Sequence, residues 1–205
     1  MYGPSVTCLI ASRGFGMPSA TAAGAVVLMA FGFLYPALVY GLKSVLPPQA
    51  FTGLALLLVG LRAATLGSEA TRTWRGPLIS AGVVIAVSAA LDGQIAAKIY
   101  PFALSLAAAY AFGNSLRKPP CLIERIARMG EPDMPAAGQT YCRIVTLIWT
   151  VWLVVNAAIA ALLAIRASEE AWALWTGFLA YLIMGVLLGG EMLIRPRVRA
   201  RTVRA

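Results

Sequence analysis

The groups that could do chemistry in this chain are few, and most lie in its second half. Glu191 closes an apolar run, and Arg195 follows four residues later. Glu-then-Arg at this spacing is the favourable order for an ion pair along one helix face. Such a carboxylate can fix the depth of a helix, or it can gate or protonate a cavity. Glu124, Arg125 and Arg128 fall between Leu122, Ile123, Ile126 and Met129, the pattern of a short amphipathic helix lying in a headgroup layer. Arg143 and Thr146 open the next apolar run. If the last two runs pack antiparallel, all seven polar groups gather at one level. They could then dock an acidic partner or hold a lipid headgroup. Snorkelling interface anchors are the plain structural alternative.

Three further polar groups, Arg62, Asn156 and Tyr181, fall inside or beside apolar runs. Polar groups at membrane depth are expensive and tend to be functional. The ordinary role of Asn156 is a bond across helices, worth about 1 kcal/mol. Gly185, Gly189 and Gly190 invite close packing by a neighbour.

Catalytic motifs are missing. Histidine is absent, which removes the commonest general base, haem ligand and transition-metal ligand. No GxSxG, P-loop, HExxH or paired-acid motif occurs. Cys8, Cys121 and Cys142 fit no CxxC or zinc spacing. No catalytic residue, metal or cofactor is expected. An enzyme is disfavoured without being excluded, and a membrane acyltransferase is disfavoured most by the missing histidine.

The elements that must position these groups are membrane helices. Of 205 residues, 60% are hydrophobic and 12% charged, where a soluble domain is nearer a half and a quarter. The pattern predicts an all-α, polytopic membrane protein with six spans, at about 21–41, 51–66, 77–91, 95–115, 143–165 and 171–194. Spans two and three are short enough for a re-entrant hairpin, but Glu69, Arg72 and Arg75 between them argue for two tilted crossings. Asp92-Gly93-Gln94 makes a tight turn. Pro119-Pro120 stops span four and can open the short helix, and Gly130 can end it. Pro196 should end span six. Trp172 and Trp175 should form an aromatic belt, whereas Trp149 and Trp152 lie deeper and pack.

Charge sets the orientation. Only Lys43, Lys98 and Arg166 fall on one side, leaving fourteen of the seventeen basic residues on the other. The rich side is cytoplasmic, which places both termini and the 116–142 loop inside. Residues 1–20 form an N-terminal cytoplasmic segment, with Met17 as an alternative start, 21–194 the membrane domain, and 195–205 a basic tail. The net charge of +9 is explained by topology and lipid contact, so no nucleic acid is expected. Tyr35-Pro36 recurs as Tyr100-Pro101, and Leu61-Arg62-Ala63 resembles Ile165-Arg166-Ala167. A three-plus-three inverted repeat, as in many transporters, would place such matches in opposite orientation.

Several motifs of the second half are shared with a known family. They are Arg117-Lys118-Pro119-Pro120, Ile123-Glu124-Arg125-Ile126-Ala127-Arg128, Pro132 to Pro135, and Tyr141-Cys142-Arg143-Ile144-Val145-Thr146 with Trp149 and Asn156. Gly177, Tyr181-Leu182-Ile183-Met184-Gly185, Gly190-Glu191 and Arg195 continue them. In these the chain resembles a bacterial family of small membrane proteins encoded within aryl-polyene and xanthomonadin-type pigment clusters. Trp152-Leu153 and Trp175-Thr176 depart from its aromatic-pair and Tyr-Asn patterns. The resemblance implies a non-catalytic inner-membrane component of a polyketide- or fatty-acid-like pathway. Such a component would organise acyl-carrier enzymes or pass a lipid-like product onward. Its partners would be membrane lipids and acyl-carrier protein or other pathway enzymes. A small transporter or flippase for a lipid or aromatic metabolite is the alternative.

Overall fold

The computed structural model describes residues 34–65, 72–128 and 132–202. The 1–20 segment, the start of the first span, Glu69, Gly130 and Arg204 lie outside them. Every regular element among the described residues is helical. In chain order these are α1 (residues 34–42), α2 (Pro48–Thr65), α3 (Arg72–Leu91), α4 (Gly93–Arg117), α5 (Leu122–Arg128), α6 (Ala136–Arg166), α7 (Glu169–Leu174), a π turn (Trp175–Leu179) and α8 (Ala180–Thr202).

Four helical stretches are long and apolar enough to cross a membrane: Trp74–Leu91, Gly93–Arg117, Ala136–Arg166 and Glu169–Arg195. The outer surface agrees. Val83, Val87, Leu147, Val151, Leu182 and Val186 are each more than half exposed. Water would penalise that much bare apolar surface, whereas hydrocarbon accepts it. The chain is a helical, multi-pass membrane protein.

Local chemistry explains the breaks. Asp92 caps α4, its carboxylate accepting from the backbone N–H of Gln94 (2.7 Å) and Ile95 (3.3 Å). One residue therefore separates α3 from α4, and the two pack antiparallel. Pro48 begins α2, where its missing N–H costs nothing. Lys118 ends α4 outside the helical region (φ −128°, ψ 83°), as the following proline favours. Helix α4 is central and packs against α2, α3 and α6. Ala103, Ala107 and Ala111 are buried along it, and such small side chains let neighbouring backbones approach.

Several expectations are corrected. Helix α3 starts at Arg72, five residues before Pro77. Helix α6 starts at Ala136, so the predicted 116–142 loop is largely helical, and α5 begins at Leu122 rather than at Pro120. Hydropathy marks where the hydrocarbon ends, and backbone hydrogen bonding carries a helix past that point. Helix α8 runs through Pro196 to Thr202. An interior proline removes one bond and bends a helix, and a long helix can continue beyond it. Trp172 is 1% exposed and packs into the core rather than forming a belt.

Candidate binding cavity and its polar ends

At one end of the bundle Glu169 binds two lysines. Lys43 closes an ion pair with one carboxylate oxygen, and Lys98 Nζ lies 3.3 Å from the other. Donating a hydrogen bond to the Glu169 carboxylate raises the Lys43 ammonium above the ordinary lysine range. The link after α1, the start of α4 and the start of α7 therefore share one end. Since Lys43 follows α1 and Lys98 lies near the start of α4, these helices run in opposite senses. Tyr35 and Tyr100, the two tyrosines of the repeated Tyr-Pro pair, stack with ring centroids 4.5 Å apart. The Tyr35 hydroxyl donates to the Ala97 carbonyl at 2.6 Å. Half-buried Arg62 lies within electrostatic reach of Tyr100 and Tyr181.

Further along α4 a cavity of about 190 Å³ opens between α4, α6 and the start of α8. Leu104, Ala108, Leu153, Ala180, Tyr181 and Met184 give it an apolar wall. Its polar edge is Ser105, Asn156 and Thr176. Asn156 donates from Nδ2 to Ser105 Oγ (2.9 Å) and accepts at Oδ1 from Trp175 Nε1 (3.1 Å). One buried amide thus ties α4, α6 and the π turn together. Thr176 donates to the Trp172 carbonyl at 2.7 Å, within its own helix. The cavity can hold an apolar molecule, and the phenols of Tyr100 and Tyr181 are the ionisable groups among its lining residues.

The far end carries the cluster anticipated from the sequence. Glu124 is 7% exposed, and its Oε1 accepts from Arg128 Nη2 (2.7 Å) and Nε (2.9 Å). Arg128 also reaches the Pro132 carbonyl, and Arg125 donates to the Pro120 carbonyl at 2.8 Å. Thr146 is fully buried and donates to the Cys142 carbonyl (2.7 Å), with Cys121 Sγ 3.3 Å from its oxygen. Cys142 lies within electrostatic reach of Glu124, Glu191 and Arg195. Helices α5 and α8 each pack against α6.

No family model, curated protein or solved structure matches this chain.

Three members of the anticipated cluster behave differently from the expectation. Arg143 is exposed on the flank of α6. Glu191 and Arg195 form no ion pair with each other; among the described residues the ion pairs are those of Glu169 with Lys43 and Lys98, and Glu124 with Arg128. An i,i+4 pair at a wet helix end gains only a few tenths of a kcal/mol, too little to hold two long side chains. Glu191 instead lies within electrostatic reach of Tyr141 on α6. Sequence spacing did not single out Ser105, Ser115 or Met134. Ser115 Oγ donates to the Phe112 carbonyl (2.6 Å) and accepts from the Leu122 N–H (3.0 Å), setting the corner between α4 and α5. The bonds of Ser105 to Asn156, Ser115 to Leu122 and Met134 to Cys142 join residues on different elements, so no local pattern announces them.

Proposed function

We propose that this chain is a non-catalytic accessory protein of a bacterial inner membrane that holds a lipid-like or aromatic molecule and passes it onward. The cavity between α4, α6 and α8 carries this reading: it is apolar-walled, at membrane depth, and edged by a single buried amide. A space of about 190 Å³ suits the aromatic end or a short acyl segment of a polyketide- or fatty-acid-like product rather than its whole length. The proposed topology has six spans with both ends inside. The fourteen-to-three charge split supports it, and the basic-poor end is the one where Lys43 and Lys98 meet Glu169. In this arrangement α5 lies at the cytoplasmic headgroup level, with Ile126 exposed towards lipid.

Extraction of the detergent-purified protein, followed by mass spectrometry, tests the reading. An apolar metabolite should co-purify with the parent and be lost from Ala108→Phe, which fills the cavity. Membranes of a strain lacking the protein should also lose pigment. An inserted Ala108→Phe protein that retains the metabolite would overturn the proposal.

Docking of an acidic acyl-carrier protein is the second reading. Arg117, Lys118 and Arg143 are exposed at the α5 end and favour it. Arg125 and Arg128 contribute less, because both are engaged internally. Reversing Arg117, Lys118 and Arg143 to glutamate should abolish capture of carrier protein; unchanged capture removes this reading.

A further inference from the structure

Two cysteines and a methionine distant in sequence meet at the α5 end, and neither functional reading uses them. Gly138, Cys142 and Thr146 are spaced by four on α6 and so share one face. Cys121, just before α5, faces Thr146. Met134, in the link before α6, lays its side chain over Gly138. A Cβ at position 138 would lie 2.8 Å from Met134 Cγ and 3.3 Å from its Sδ, so glycine is what seats the thioether. The Met134 sulfur then sits 3.9 Å from Cys142 Sγ. Cys121, Cys142 and Met134 are all buried in one cluster, and both thiols are free.

We propose that Cys121, Cys142 and Met134 form a binding site for a soft monovalent metal ion, Cu(I) being the representative. Metal–sulfur bonds of about 2.3 Å in trigonal or tetrahedral geometry place sulfurs about 3.8–4.0 Å apart. The one sulfur pair with a measured separation already has that spacing. Thiolate and thioether donors select Cu(I) over harder ions. Among the described residues no three His, Cys, Asp or Glu side chains gather to offer a competing site. On binding, Cu⁺ replaces the two thiol protons, which leave to solvent, and no electron is transferred. The dithiolate complex carries net negative charge. Arg195 on α8 offsets this in part, against burial and the charges of Glu124 and Glu191. Pro132, Asp133 and Pro135, the chain neighbours of Met134, are exposed.

The test uses the full chain in detergent, with Cys8→Ser leaving Cys121 and Cys142 as the only thiols. Titration against the chromophoric Cu(I) chelator bicinchoninate should show one equivalent withdrawn. X-ray absorption should show a sulfur-only shell near about 2.3 Å. Cys121→Ser and Cys142→Ser should abolish binding. Met134→Leu and Gly138→Ala keep both thiols and should weaken it about tenfold. These two variants decide the matter if the serine variants misfold. No copper withdrawn by the parent, or parent-like affinity in both Met134→Leu and Gly138→Ala, would overturn the site.

Discussion

The indole N–H of Trp175 donates to the amide oxygen of Asn156 at 3.1 Å, across the gap between the π turn and α6. Trp175→Phe should lower stability by about 1 kcal/mol. The same change in an Asn156→Ala background should cost little more, because the acceptor has already gone. Unfolding by SDS titration in mixed micelles measures both. Fully additive losses would show that this bond contributes nothing.

Ser115→Ala should destabilise by about 1–3 kcal/mol, because it leaves the Leu122 N–H buried without its acceptor. Hydrogen exchange should locate the loosening at the junction of α4 and α5. Uniform loosening of the bundle would contradict the corner role.

The lysine pair gives a pH dependence with a definite sign. The folded-state value of Lys43 is raised above its ordinary 10.5. Its contribution is therefore complete below pH 10.5 and lost as pH rises through the higher folded value. Glu169→Gln should remove that alkaline component and leave a flatter melting curve above pH 10.5. Parallel pH profiles for the two proteins would rule the pair out as its source.

Reporter fusions test the proposed topology. Fusions after Leu46 and after Ser168 should report the outside, and a fusion after Met134 the inside. A cytoplasmic signal at Ser168 would invert or break the six-span arrangement.

The sequence revealed helices better than faces. Runs of apolar residues and the Asp92 turn located α3, α4 and α6, since length and capping are local properties. The packing of α5 and α8 on α6 follows from short connections between antiparallel helices. The burial of Trp172 was not legible, because an aromatic residue near a span end carries the same local signal whether it meets lipid or core. The thioether over Gly138 was equally hidden: a methionine in a proline-rich link carries no signal until the link folds back on α6.

Helix lengths carry a mechanical consequence for the surrounding lipid. The 31 residues of α6 rise about 46 Å, whereas the 18 residues of α2 rise only about 27 Å. Only the apolar part of each helix has to match a hydrocarbon layer of about 30 Å, so the surplus of α6 extends into the headgroups and beyond. If α2 crosses, it falls a few ångström short, and lipid beside it would thin at a cost of fractions of a kcal/mol per ångström.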